Sequence, residues 1–218
     1  MKKIIISALL LVFSIGLTGC AAVDNSIDDS VHKNNQNSIT KVDREKPFKK
    51  IDVNVAIDNV KLNYGKHYKV SYHGSKKLLP KITNKNGLLT IVDKNFSNSN
   101  MKQILTIELP KKELKNINIF SQNGDVIIDS IKTYSGNTKS TNGDIKYLHL
   151  CSNKEFKINT QNGNIIVKDN NAKGYNLVAS NGNIRFKGNT VDSPFKLNKK
   201  DKKLLSVYSE NGNIDIEK

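Results

Sequence analysis

Residue types able to do chemistry are sparse in this chain, and most recur at fixed spacing. Asp125 and Asp144 hold equivalent places in two Asn-Gly-Asp units. In a stack of coils their carboxylates would stand about 5 Å apart, a separation compatible with paired-carboxylate glycosidase chemistry. Asp is also an ordinary turn residue. No Gly-x-Ser-x-Gly, His-Glu-x-x-His or phosphate-cradling loop accompanies the pair. A polysaccharide-active β-helix enzyme using Asp125 and Asp144 is therefore the alternative reading. His149 and Cys151 are near neighbours, but two ligands without further Cys or His nearby make a weak metal site. A calcium role for the Asn-Gly-Asp row is remote, since calcium-binding β-roll repeats have a nonapeptide period. No metal or cofactor is expected. Lys146, Lys157 and Arg185 fall at outward strand positions, where they would contact anions or simply solvate the surface.

The first twenty residues carry a different signal. Met1-Lys2-Lys3 is cationic, and Ile4 to Gly16 follows without a charge. That run is shorter than the about 20 apolar residues of a membrane span and fits the apolar region of a secretory signal. It ends Leu17-Thr18-Gly19-Cys20, which resembles the lipobox of bacterial lipoproteins. The resemblance implies cleavage before Cys20, a diacylglyceryl thioether on its sulfur, and an acyl chain on the new amino group. More than one chain makes anchoring stable. With Cys20 lipidated, Cys151 has no intramolecular partner and a disulfide framework is excluded. Residues 1–19 are then a signal peptide. Residues 20–46 are a polar, disordered tether, and 47–218 are the folded domain. The expected location is the extracytoplasmic face of the cell membrane.

Composition narrows the partners. Without residues 1–19 the chain keeps 33 basic and 20 acidic residues, a net charge of +13. Outside the membrane this favours lipid headgroups, phosphate-rich wall polymers or acidic polysaccharides. An envelope protein is a further candidate partner, and nucleic acid is not expected. The basic residues form short separated groups, such as Lys76-Lys77, Lys111-Lys112 and Lys199 to Lys203.

The elements that must position these residues are strands. Ile51, Val53, Val55 and Ile57 alternate with polar residues, as do Tyr68, Val70 and Tyr72. No amphipathic helix is evident, although Glu113-Leu114-Lys115 and Lys199 to Leu205 each allow a single turn. From Ser121 onward the sequence repeats around Gly124, Gly143, Gly163, Gly182 and Gly212, spaced 19, 20, 19 and 30 apart. Two and four residues after each glycine stand Val126/Ile128, Ile145/Tyr147, Ile165/Val167, Ile184/Phe186 and Ile214/Ile216. Three before stand Ser121, Ser140, Thr160, Ala179 and Ser209. Leu89 and Ile91 after Gly87 read as an earlier, degenerate copy. The excess in the last gap is expected as a loop within Val191 to Lys203.

Asn-Gly between alternating strands also marks a hairpin, so a stacked-hairpin sandwich is the competing architecture. A β-solenoid is preferred because it stacks identical positions about 4.8 Å apart and so keeps each column uniform. A period near 20 allows three short strands per coil, with the glycine supplying positive φ at a corner.

Residues 104–128 add a family signal. Ile104 to Pro110, Leu114 to Ile119 and Asn123-Gly124-Asp125-Val126, with the recurring Asn-Gly units, resemble bacterial adhesin-like β-strand-repeat domains. The resemblance covers about residues 47–218. It implies an all-β, right-handed β-helix-like fold at the cell surface or in the envelope, with some relatives tied to envelope stress. It brings no active-site residues. The leading expectation is a membrane-anchored, non-catalytic binding or scaffold module.

Overall fold

Alternation of inward apolar and outward polar residues makes each repeat two strands joined by a bend. β9 (Val126–Asn142) shows the plan. Val126, Ile128 and Ile131 point inward along its first half, Thr138 and Ser140 along its second. The first half pairs with β10 (Ile145–Ser152) and the second with β11 (Phe156–Asn162), all in parallel. A coil therefore has two strands, not three: inward alternation continues for about eight residues before the chain turns. The computed structural model describes residues 38–56, 58–93, 102–111 and 113–217, all within one compact unit, Gln36–Lys218. The signal segment, Cys20, the tether as far as residue 37, and Ile57 lie outside the described residues.

Two parallel sheets face each other across one core. The front sheet holds the strands that follow each glycine. Its order is β7 (Gln103–Leu109), β3 (Asp58–Tyr64), the first half of β9, β10, β12 (Ile165–Asn170), β18 (Ile214–Ile216) and β14 (Ile184–Phe186). The back sheet runs β6 (Leu88–Val92), β2 (Lys50–Val55), β8 (Leu114–Ser121), the second half of β9, β11, β17 (Leu204–Asn211) and β13 (Gly174–Asn181). Hairpins stacked as a sandwich would give antiparallel ladders; the body has parallel ones, so the β-solenoid holds.

Coil order departs from chain order at both ends. β2 and β3 insert between the coil of β6 and β7 and that of β8 and β9. β17 and β18 insert between the Gly163 coil and the Gly182 coil. The 30-residue gap is thus the return path of an inserted coil. Within it, β15 (Asn189–Val191) and β16 (Phe195–Leu197) pair antiparallel with β14 and β13. At the other end β4 (Lys69–Ser75) and β5 (Lys81–Lys85) pair antiparallel with β7 and β6. Short antiparallel caps cover edges that would otherwise recruit further strands.

β1 (Ser38–Arg44) adds to β4, so the last part of the expected tether is an ordered edge strand. Neither segment is helical. Leu114 opens a strand, with alternating burial, whereas Lys199 and Lys200 lie in a turn closed by the Asp201 N–H on Asn198 O at 2.8 Å, before β17 begins at Leu204. A 3-10 turn occurs instead at Lys76–Leu78. Asn86-Gly87 is a hairpin turn between β5 and β6 rather than a corner. Both residues have positive φ, 52° and 75°, as a type I′ turn requires. Leu89 and Ile91 therefore belong to the back sheet, opposite Ile51 and Val53.

The core columns fall where expected. Ile145, Ile165 and Ile214 stack with no exposed surface. Tyr147 is wholly buried, with its hydroxyl 2.5 Å from Thr138 Oγ1 and its ring edge-on to Phe156 at 5.5 Å. Its phenol is pushed well above the ordinary range by burial.

Candidate functional site

The solenoid has two long edges, and their side chains do different work. The glycine edge is knitted by ladders. Asn142, Asn162, Asn211 and Asn181 each donate from Nδ2 to Oδ1 of the preceding rung, starting at Asn123, over 2.6–2.9 Å. One residue past each corner, Oδ1 of Asn59, Asp125, Asp144, Asn164 and Asn213 accepts the backbone N–H of the next coil at 2.7–2.9 Å. Asp and Asn interchange here because both present that acceptor. The small column is a third ladder. Ser121, Ser140, Thr160 and Ser209 donate to the corner carbonyls of Asp58, Gly124, Gly143 and Gly163.

Close approach, rather than left-handed backbone, demands glycine along this edge. A Cβ on Gly143 would overlap the Gly124 carbonyl oxygen, and the clash repeats through Gly163, Gly212 and Gly182. The expected positive φ holds at Gly163 and Gly212, at 157° and 153°, but not at Gly124, Gly143 and Gly182.

The opposite edge, where front strands turn into back strands, is lysine-rich. Lys49, Lys50, Lys111, Lys115, Lys154 and Lys173 are exposed there, and none pairs with a carboxylate among the described residues. The chain there keeps its backbone pairing, with Lys115 N–H on Lys49 O at 2.7 Å and Lys154 N–H on Tyr134 O at 2.8 Å. Side chains cross between coils there at separate points rather than in a continuous row, with Asn116 Nδ2 on Ser135 Oγ at 3.2 Å and the Ser152 N–H on Asn171 Oδ1 at 2.8 Å. The nearby acids are engaged: Glu113 by Lys132 at 3.4 Å and Asn153 at 2.7 Å, Glu155 by Lys157 and Ser206. Two adjoining open grooves, about 450 and 420 Å³, share Lys49, Glu113 and Lys115. Tyr134 lines one of them at 49% exposure, with Lys154 Nζ 5.8 Å from its ring centre.

The residues singled out by sequence do not converge. Lys146 and Arg185 lie on the front sheet and Lys157 on the back. Arg185 is held by Asp215 and, at 3.7 Å, by Glu217. Lys157 sits 3.6 Å from Glu155. Asp125 and Asp144 are adjacent rungs, each giving Oδ1 to a backbone amide. His149 bonds Asp169 at 3.1 Å on the exposed surface, and Cys151 is a half-buried free thiol. Among the described residues no three His, Cys, Asp or Glu side chains form a metal-holding group, and no helix is long and apolar enough to cross a membrane. Sequence reasoning missed the bend edge. Its only trace was that Lys111 and Lys199 to Lys203 sit in connections between strands.

One corner departs from the glycine rule. Asp58 takes the glycine place at the inserted N-terminal coil, where its carbonyl caps Gly124 and Ser121. Its carboxyl is buried, and burial together with the nearby Asp93 charge pushes it up to about 7.

Parallel two-strand coils, closed along one edge by glycine and amide ladders, define a β-solenoid repeat domain. The chain belongs to the Toastrack DUF4097 family, whose model matches residues 48–218. The β-strand-repeat resemblance read from residues 104–128 is borne out. Among solved structures the chain is similar to a candidate cell adhesion protein from Clostridium sporogenes. That match has 18% identity and a TM-score of 0.61, over 83% of this chain and 99% of that one. It is also similar to a candidate adhesin from Bacteroides fragilis, at 18% identity and a TM-score of 0.39, over 82% and 96%. Likeness at these identities is one of fold. No curated protein matches the chain.

Proposed function

We propose that this protein is a non-catalytic binding module, lipid-anchored through Cys20 at the extracytoplasmic face of the cell membrane. It meets phosphate-rich anionic partners through its bend edge. The observation that carries the reading is the division of side chains between the edges. Along the glycine edge Asn, Asp and Ser side chains are consumed by stacking. Along the bend edge unpaired lysines flank an open groove with an exposed tyrosine. A row of unpaired lysines attracts an anionic surface by about 1 kcal/mol per residue near it, and the aromatic ring adds amphipathic contact area. The cell adhesion role proposed for the Clostridium sporogenes protein is compatible with a module of this kind. Lipid headgroups and wall polymers share the phosphate chemistry recognised here. Asp125 and Asp144 serve the backbone ladder in this reading, which leaves the glycosidase alternative without a free acid/base pair.

Two experiments test it. Metabolic labelling with a fatty acid should tag the wild-type protein and not Cys20→Ser; equal labelling of both would remove the anchor. The full chain carrying Cys20→Ser should bind phosphatidylglycerol vesicles or a phosphate-containing wall polymer at low ionic strength, and phosphatidylcholine vesicles far less. Binding should fall steeply near 0.15 M salt, where charges are screened beyond about 8 Å. Vesicle binding alone assigns the partner to lipid, and polymer binding alone assigns it to the wall. Absence of both overturns the anionic reading.

A further inference from the structure

We propose that the corner formed by Asp58 and Asp93 is a divalent-cation site, with calcium the favoured ion. Asp58 opens β3 and Asp93 directly follows β6, so the fold brings the two carboxylates to the same end of the glycine edge. Asp58 is 1% exposed, and among the described residues neither of its carboxylate oxygens has a hydrogen-bond partner. Asp93 Oδ2 accepts the Ala56 N–H at 2.5 Å, while its Oδ1 is buried without a partner.

The neighbouring groups do not satisfy these oxygens. The Tyr72 hydroxyl donates to Gln103 Oε1 at 2.6 Å and lies 2.9 Å from Ser75 O. Gln103 Oε1 also takes the Ser75 N–H at 2.8 Å. The Tyr72 phenol is raised above its ordinary range by burial and by the charges of both aspartates, which places it within their field. Among the described residues no Lys, Arg or His forms an ion pair with either carboxylate.

Three buried carboxylate oxygens without a donor are costly in water's absence. A donating water can satisfy single oxygens, but the paired negative charge calls for a cation or a proton. Calcium takes six to eight oxygens at about 2.3–2.6 Å and accepts a bidentate carboxylate; magnesium demands near-ideal octahedral geometry. Asp58 offers both oxygens and Asp93 one, with water to complete the shell. So few protein ligands point to the weak class of extracellular calcium sites, with Kd of about 10⁻⁴–10⁻³ M. Such an affinity is useful outside the cytoplasm, where the ion is abundant, but the site itself does not depend on the bend-edge reading.

The experiment is thermal unfolding of the purified protein at pH 7.5, after chelation, with CaCl2, MgCl2 or ionic-strength-matched NaCl. At 10 mM calcium Tm should rise by about 4–7 °C, and by less with magnesium. Asp58→Asn should abolish the calcium response and should unfold, in chelator, no lower than wild type, because it removes a buried charge. Should Asp58→Asn fail to fold, Asp93→Asn gives the same reading. A wild-type response equal to that in NaCl, or a calcium response retained in the folded variant, overturns the site. In the first case, a Tm that rises only on acidification assigns the pair to a proton instead.

Discussion

The two edges of the solenoid are made from the same coils, yet they spend their side chains in opposite ways. At the glycine edge three ladders run from coil to coil, the hydroxyl one stopping short of Ala179, and the glycine column lets the backbones approach closely enough for them to form. At the bend edge the side-chain bonds between coils are scattered, such as Asn116 to Ser135, Ser152 N–H to Asn171 Oδ1 and Asn153 to Glu113. Lys49, Lys115 and Lys154 stay exposed there without a carboxylate partner among the described residues. The lesson is that a repeat protein can concentrate specificity of folding on one edge and leave the other to vary. In the proposed function it is the lysine-rich edge, not the conspicuous Asn-Gly-Asp edge, that meets a partner.

The largest effect should come from the core that both edges serve. Ile165→Asp places a charge between Ile145 and Ile214, all three with no exposed surface. It should cost upwards of about 4 kcal/mol and unfold the domain. Ile166→Asp, half-buried on the outer side, should be far milder. Equal losses in thermal melts would mean that the inward columns are misassigned.

The next effect belongs to the glycine edge alone. Asp58 is raised from 3.8 to about 7, so the folded state binds its proton more tightly than the unfolded state. Stability in calcium-free buffer is therefore highest below about pH 4 for this group and is lost as pH rises to 7. Some three units at about 1.4 kcal/mol each make this roughly 4 kcal/mol at most. Unfolding in urea across that range should show the decline in wild type and a flatter profile in Asp58→Asn. The same slope in both would move its origin elsewhere.

Glycines at the two edges should respond differently. Gly143→Ala forces a Cβ into the Gly124 carbonyl and should cost about 3 kcal/mol. Gly87→Ala meets only a backbone nitrogen at 4.0 Å and suffers from its φ of 75°, for about 1 kcal/mol. Similar costs would remove close approach as the reason for the column. The smallest contrast is between side chains. Asn162→Ala loses bonds to Asn142 and Asn211 and should cost about 1 kcal/mol, whereas Lys154→Ala should change stability by less than about 0.5 kcal/mol.

Much of this could be read from the residues. The pairs after each glycine, such as Ile145/Tyr147, and the small column of Ser121, Ser140, Thr160, Ala179 and Ser209 gave the inward faces. The hydroxyl role of that column was hidden, because its acceptors lie one coil away. Coil order was hidden too. Asn164, Asn183 and Asn213 are equivalent by type, and nothing local reveals that the Gly212 coil inserts before the Gly182 coil. That insertion is what brings Asp215 to Arg185. Strand parity showed that Lys146, Lys157 and Arg185 point outward, but parity is blind to which sheet a strand joins. The bend edge is assembled from connections dozens of residues apart, so its lysines are close only once the coils are stacked.

The most direct measurement compares two triple variants in the full chain carrying Cys20→Ser. One replaces Lys49, Lys115 and Lys154 by Gln at the bend edge. The other replaces Lys146, Lys157 and Arg185 by Gln on the two sheet faces. Binding to phosphatidylglycerol vesicles and to wall polymer is measured at low ionic strength, with melts to confirm folding. The bend-edge triple should lose roughly 100-fold in affinity for the ligand that binds, from about 1 kcal/mol per lysine. The face triple should lose less than about tenfold, since Lys157 and Arg185 already face acids. Equal losses, or a larger loss in the face triple, would contradict a binding role for the bend edge.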